Sequence, residues 1–242
     1  MRILVANDDG VYSPGIAALA QVAQMFGEVR VVAPDVEQSS AGHAITATRP
    51  VRYRRTEIFG DLEAYRVNGT PADCVALGVH TWGHVDLVLS GINLGPNLGN
   101  ATWHSGTLAA AKQAVLLGIR GVALSAPITD ETADFSMLAP WVEKTLRALL
   151  EETRPALVNV NFPRAPRGMR WTSLAVDQYN GQVVPDRDPM GREHYWFTVV
   201  PLEKHREGTD LWAFENGYVS LTPLRLDLTD YEELEKARSA GE

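Results

Sequence analysis

The feature that most constrains this chain is a recurrence. Through its first two-thirds, short and nearly uninterrupted Val/Leu/Ile runs alternate with helical patterns. RILVA (Arg2–Ala6) reads as a strand, followed by a helix over Pro14–Phe26 with Ser13 as its cap and Pro14 in its first turn. VRVVA (Val29–Ala33) is a second strand, closed by Pro34 and Asp35. VDLVLS (Val85–Ser90), GVALS (Gly121–Ser125) and ALVNV (Ala156–Val160) are further strands, with helices expected around Thr107–Leu117 and Phe135–Leu150. A strand that shows no polar alternate positions is covered on both faces, so such runs between helices specify a mostly parallel sheet. The expected fold is a Rossmann-like α/β domain, helices on both faces of the sheet, spanning residues 1–242. In such sheets ligands bind at the carboxyl ends of the strands, near the point where strand order reverses.

The departures from this alternation carry their own expectations. Arg49–Ile58 and Glu63–Val67 read as a hairpin inserted after the second strand, and Pro71 as the start of a helix. From about 172 to 224 the pattern becomes an irregular, β-rich extension suited to contacts between subunits. Within it GQVVPDRDPMGR reads as a loop, and His194–Val200 and Tyr218–Leu224 as strands. The last helix is expected to start at Thr229, with Glu232 completing a capping box.

Composition narrows the partners. Hydrophobic residues make up 45% and charged residues 21% of the chain, as in ordinary globular domains. No apolar stretch approaches the roughly 20 residues needed to span a bilayer, and the short apolar start, ending in acids, does not read as a signal peptide. One cysteine, Cys74, leaves no intrachain disulfide, so a cytoplasmic location is the default reading. A net charge of −8 without a Lys/Arg stripe argues against a nucleic-acid polymer as partner.

Three loops carry candidate chemistry, each at a strand's carboxyl end. In Asn7-Asp8-Asp9-Gly10, neighbouring carboxylates converge only if the chain turns, which Gly10 permits. Two hard oxygen donors there suit Mg²⁺, Mn²⁺ or Ca²⁺; the bland alternative is a solvated Asp-Gly turn. In APDVEQSSAGHAIT, Ser39, Ser40, Gly42 and His43 form a small-residue loop able to meet an anion. In SGINLGPNLGNATWHSGT, glycines 91, 95 and 99 and asparagines 93, 97 and 100 precede Ser105-Gly106-Thr107, which opens a helix. Neither a dinucleotide fingerprint nor a Walker A loop is present. A helix start with Ser/Thr is a natural anion site, because its first N–H groups and its dipole favour negative charge.

With these loops in view the sequence resembles the SurE family, stationary-phase survival proteins that are metal-dependent nucleoside-monophosphate phosphatases. The matching segments are MRILVANDDGVYSPG, VVAPDVEQSS, NGTPADCV, VLSGINLGPNLG and HSGTLAAA, in order over roughly the first 125 residues. The resemblance implies one divalent metal ion per subunit, Mg²⁺ or Mn²⁺, held by Asp8, Asp9, Ser39 and Asn93. It implies substrate phosphate near Asn97 and the Ser105-Gly106-Thr107 turn. From their places in the first two loops, Asn7, Ser40 and His43 are further candidate phosphate contacts. It further implies release of phosphate from nucleoside 5′-monophosphates, 3′-monophosphates and short polyphosphate, by a homodimer or homotetramer that exchanges a C-terminal arm.

Two mechanisms fit these residues: attack by water, or attack by an aspartate with an aspartyl-phosphate intermediate. Adjacent acids favour joint metal ligation and hence water. His104, directly before Ser105, is the candidate general acid, with His43 second. His80 and His84 read as a helix end, Cys74 as a packing residue, and Trp103 as packing ahead of base stacking. Two competing readings remain: a metal-dependent sugar-nucleotide transferase, and a nucleotide or metal sensor without turnover.

Overall fold

The computed structural model describes residues 1–57, 60, 62–127, 135, 137–151, 155–176, 181–199 and 206–240. In chain order the elements are β1 (Arg2–Ala6), α1 (Pro14–Ala23), β2 (Glu28–Pro34), β3 (Tyr53–Thr56), β4 (Glu63–Val67), α2 (Pro71–Trp82), β5 (Leu87–Leu94), α3 (Gly106–Leu116), β6 (Arg120–Ala126), α4 (Ala139–Glu151), β7 (Leu157–Asn161), β8 (Gly168–Trp171), β9 (Gly181–Arg187), β10 (Glu193–Val199), α5 (Asp210–Glu215), β11 (Tyr218–Leu224) and α6 (Tyr231–Ala240). A nine-stranded sheet runs β3-β4-β2-β1-β5-β6-β7-β11-β8, and β9 pairs with β10 in a separate ribbon. The strands from β4 through β7 are mutually parallel; β3 and β11 run antiparallel to their neighbours β4 and β7.

The apolar runs are explained by two-sided burial. In β1, Ile3 and Val5 join the cluster formed with Ile16 and Leu19 of α1 and Val142 and Leu146 of α4. Their neighbours Leu4 and Ala6 join the opposite cluster, with Cys74 and Val75 of α2 and Ala110 and Ala114 of α3. Successive side chains point to opposite faces, so both faces demand apolar residues. Helix α3 lies close to the sheet: a Cβ on Gly121 would come within 2.2 Å of the Ala111 carbonyl.

The helix starts agree with their capping residues. The Ser13 hydroxyl accepts from the Gly15 amide (3.3 Å), and Thr70 and Asp73 close a capping box at α2. At α6 the cap moves by one residue from the expected Thr229: Asp230 Oδ1 accepts from the Glu233 amide (3.0 Å), and the helix begins at Tyr231. Asp230 is as good a cap as threonine and lies nearer the helical run.

The inserted hairpin forms as expected, with β4 also pairing parallel to β2. Two features of the extension differ. Gly181–Arg187, expected as loop, is strand β9, paired antiparallel with β10 so that Val184 faces Trp196 and Pro185 faces Tyr195. A proline is tolerated because each strand of a two-stranded ribbon has a free edge on which a missing N–H breaks no ladder bond. Tyr218–Leu224, expected within the extension, is β11 of the main sheet, with Leu221 opposite Val160 of β7. Part of the expected extension, residues 177–180 and 200–205, lies outside the described residues, as does Ile58 at the end of the expected hairpin.

Candidate active site

Strand order fixes where a ligand can bind. From β1 the chain moves one way, to β2 and then β4, while β5, β6 and β7 lie on the other side. The reversal falls between β1 and β5. The loops leaving these two adjacent strands are the Asn7–Gly10 turn and the glycine-rich segment 95–105. Such a switch point leaves a crevice between diverging loops.

The turn after β1 is built by Asn7. Its carboxamide nitrogen donates to the Gly10 carbonyl (2.9 Å), and its oxygen accepts from the Gly10 amide (3.2 Å). Gly10 has φ +99°, a conformation glycine takes without strain. Asn7 is therefore occupied in shaping the turn, whereas its sequence position suggested substrate contact. The bend also turns the two acids to different partners.

Asp8 is 4% exposed and lies at the start of α3. Its Oδ1 accepts from the Thr107 hydroxyl at 2.6 Å. A Cβ on Gly106 would stand 2.8 Å from both the Cβ and Oδ2 of Asp8, so glycine leaves the room that the carboxylate fills. Asp9 Oδ2 accepts from the Leu94 amide (3.3 Å), which sets Asp9 beside Asn93. The Asn93 carboxamide nitrogen donates to the Gly95 carbonyl (2.7 Å), leaving its oxygen as the group suited to a cation.

Both acids are held away from their ordinary ionisation. Burial is the main cause of the raised Asp8 pKa, opposed by the Thr107 hydrogen bonds and supported by repulsion from Glu37. Asp9 is pushed up to about 7, by burial first and the Asp8 charge second. Two like charges set side by side, one buried and one half-buried, repel each other, and a divalent ion would relieve both. No group of three or more His, Cys, Asp or Glu suited to a metal occurs among the described residues, so further ligands would be hydroxyl, carboxamide or water oxygens. That donor set fits Mg²⁺ or Mn²⁺ and is unsuited to a structural zinc.

The second loop reaches this pair through its backbone: the Gln38 amide donates to the Asp8 carbonyl (2.7 Å). Ser39 is exposed, and its hydroxyl donates to Glu37 Oε1 (2.6 Å). Ser40 is exposed with φ 59°. Farther along the loop, the Gly42 amide donates to the His104 carbonyl (3.0 Å), and His43 Nε2 pairs with Gln113 Oε1 of α3 (2.9 Å). His43 and His104 are thus brought to one side of the crevice, both exposed.

The third loop is held by residues that gave little signal in sequence. Asn97 donates through Nδ2 to the Ser125 hydroxyl (2.9 Å) and, at 3.5 Å, to Thr107. Its amide donates to Asn161 Oδ1 (2.7 Å), and its carbonyl accepts from Asn159 Nδ2 (2.7 Å) and Asn161 Nδ2 (3.1 Å). Buried Asp210 accepts from the Gly99 amide at 2.8 Å. Ser125, Asn159 and Asn161 left one trace: polar residues interrupting apolar strands near their carboxyl ends. Asp210 and Glu37 left none.

The Ser105-Gly106-Thr107 turn is a helix start as expected, with Ser105 Oγ capping the Leu108 amide (3.0 Å). Its anion, however, is internal: Asp8 takes the Thr107 hydroxyl. Trp103, expected to pack, is 57% exposed, with Lys112 Nζ 5.8 Å from its ring centroid. Cys74 is fully buried, and burial pushes its thiol well up, as a packing residue requires. His84 pairs with Asp86 (2.7 Å) at the end of α2, and exposed His80 lies in the last turn of that helix.

Comparison with known proteins agrees with this geometry. The family model described as Survival protein SurE matches residues 3–181. A Thermus thermophilus protein named 5′-nucleotidase SurE 1 is 51% identical over 240 residues, covering 97% of this chain and 96% of its own length. A 5′-nucleotidase SurE of Deinococcus radiodurans is 47% identical, covering 94% and 88% respectively. The crystal structure of the SurE protein from Aquifex aeolicus superposes with a TM-score of 0.84 at 38% identity, over the whole of both chains. With the acid turn, the glycine-rich loop and the sheet order all accounted for, this chain belongs to the SurE family.

Proposed function

We propose that this chain is a metal-dependent phosphomonoesterase that hydrolyses nucleoside 5′-monophosphates to nucleoside and phosphate. The observation that carries the reading is the adjacent Asp8–Asp9 pair at the switch point, Asp8 buried, Asp9 half-buried, and the pKa of each raised chiefly by burial. The names of the relatives, 5′-nucleotidases, point the same way. A single Mg²⁺ or Mn²⁺ per subunit would be held by Asp8, Asp9, Asn93 and Ser39, with Ser39 exchanging its Glu37 partner for the ion. Bound there, the ion would neutralise phosphoryl charge and lower the pKa of a coordinated water.

The protein's own groups supply the rest. Thr107 and Gly106 fix the position of Asp8, and the Asn7 turn fixes Asp9, so the acids need no reorganisation when substrate arrives. The loop 95–105 would meet the phosphoryl oxygens with groups other than the amide and carboxamide of Asn97 and the amide of Gly99, which are held by internal partners. On this reading His104, which directly precedes the Ser105 cap, would protonate the leaving ribose oxygen, with His43 the second candidate. Exposed Trp103 offers a face on which a nucleobase can stack. The same site would accept 3′-monophosphates and the end of a short polyphosphate, since the acids meet only the phosphoryl group.

The β9–β10 ribbon supports an assembled state. Trp196 is 60% and Phe197 86% exposed, and Val183 and Val184 lie on the paired strand. An isolated two-stranded ribbon with such residues in water is marginally stable alone. We assign it to contact with a second copy, giving a homodimer or homotetramer in the cytoplasm. Among the described residues no helix is long and apolar enough to cross a membrane.

The deciding experiment is phosphate release from AMP and GMP after chelation and resupply of Mg²⁺ or Mn²⁺. Metal-restored release supports the proposal; nucleotide binding without release would favour the sensor, and release only from a sugar nucleotide the transferase.

A further inference from the structure

Asp210 is a carboxylate with no exposed surface, placed at the first position of α5. The cap of that short helix is provided by its neighbour, the Thr209 hydroxyl accepting from the Trp212 amide (3.3 Å). Asp210 is free to serve other groups. Its Oδ2 accepts from the Gly99 amide (2.8 Å), while Oδ1 accepts from the Ala175 amide (2.8 Å) and the Leu211 amide (2.8 Å). Its own amide donates to the Ser173 carbonyl (2.8 Å). Gly99 and Ala175 are in close approach as well: at φ +50°, Gly99 would place a Cβ 2.3 Å from the Ala175 carbonyl oxygen.

These contacts join two segments with separate tasks. Gly99 lies two residues beyond Asn97, which reaches Ser125 and Thr107, and Thr107 in turn holds Asp8. Ala175 lies on the strand-to-extension path that leads towards the β9–β10 ribbon. A buried acid is unfavourable unless its hydrogen bonds are complete, and those of Asp210 come from the backbone amides of Gly99, Ala175 and Leu211. A fold needing only to connect two loops could do so with apolar contacts. A carboxylate fork instead fixes both N–H groups at set distances.

We infer that Asp210 is a positioning residue for the site, its two carboxylate oxygens locking the Asn97–Gly99 loop to the base of the extension and so setting the Asn97–Thr107–Asp8 relay. The inference rests on the phosphomonoesterase reading for its kinetic arm only. Asp210→Asn keeps the shape but sets an NH₂ against either the Gly99 or the Ala175 amide, donor against donor. The control is Leu149→Ala, which truncates a buried α4 side chain packed in the core cluster with Val142 and Leu146.

The experiment measures AMP hydrolysis by both variants together with backbone amide exchange over residues 95–103. For Asp210→Asn the expected result is a fall in kcat of about ten-fold or more with KM within about two-fold, since misplacement of reacting groups by about 1 Å can cost on the order of 100-fold. Exchange over 95–103 should rise. Leu149→Ala should lower thermal stability without either change. Asp210→Asn behaving like Leu149→Ala in kcat and exchange overturns the inference. Should Asp210→Asn not fold, Asp210→Ser is measured in its place, and failure of both to fold assigns Asp210 to the fold alone. A wild type that releases no phosphate sinks the nucleotidase reading, and the exchange comparison then decides this inference by itself.

Discussion

The Thr107 hydroxyl donates to the Asp8 carboxylate across 2.6 Å, joining the start of α3 to a turn 99 residues earlier in the chain. Asp8 is thereby both a buried acid at a helix start and the neighbour of half-buried Asp9. The helix end offsets part of the cost of its burial and fixes the direction of its other oxygen.

Thr107→Val keeps the β-branched shape and removes that bond. A hydrogen bond to a charged group contributes about 1.5–3 kcal/mol. The expected outcome is a fall in kcat/KM of roughly ten-fold to 100-fold on AMP, at near-native secondary structure by circular dichroism. Unchanged kinetics would mean that Asp8 is held by other contacts.

Gly106→Ala inserts a methyl group 2.8 Å from Asp8 Cβ and Oδ2, against a side chain that has little room to move. Overpacking of this kind costs about 1–3 kcal/mol. Weaker metal-dependent thermal stabilisation should accompany the loss of activity. Full metal response in the alanine variant would be incompatible with Asp8 as a ligand.

Asp9→Asn tests the electrostatics in the metal-free protein. The folded pKa of Asp9 is pushed up to about 7 from 3.8. The protonated form is favoured by folding, so its contribution is complete below about pH 4 and disappears as pH rises through about 7, a loss of a few kcal/mol at most (about 1.4 kcal/mol per unit). Chelated wild type should therefore lose denaturant midpoint between pH 5 and pH 8. The asparagine variant should show a shallower decline and be the more stable at pH 8, yet be inactive with Mg²⁺ or Mn²⁺. An equal decline in both proteins would show that Asp9 is not the titrating group.

Trp196→Ser with Phe197→Ser tests the assembly. If the ribbon is covered by a second copy, light scattering should show loss of the oligomer with the monomer still folded. An oligomer that survives both changes would place the subunit contact elsewhere.

Much of the frame was legible because its cause is local. Apolar runs between helical patterns fixed the parallel sheet, and Ser13 and Ser105 acted at helix starts from a few residues away. The acids, the glycine-rich loop and the helix start of α3 were recognisable since each is a short motif at the end of a strand. Asn7 and Thr107 were noticed, but their tasks were not: Asn7 closes its own turn, and Thr107 serves Asp8. The β9 strand was missed because Pro185 and the charged residues around it resemble a loop until a partner strand is present.

By itself, then, the sequence determined the layered α/β architecture and the three loops that carry the chemistry, because hydrophobic period and capping act over a few residues. Only the tertiary structure decided that β1 lies beside β5, which brings Asp8 and Asp9 against Asn93, Gly106 and Thr107. It alone showed Ser125, Asn159, Asn161 and Asp210 holding the glycine-rich loop. Each rests on one or two polar bonds between residues 28 to 111 positions apart, made only after packing has excluded water. No periodicity in the chain encodes such a bond.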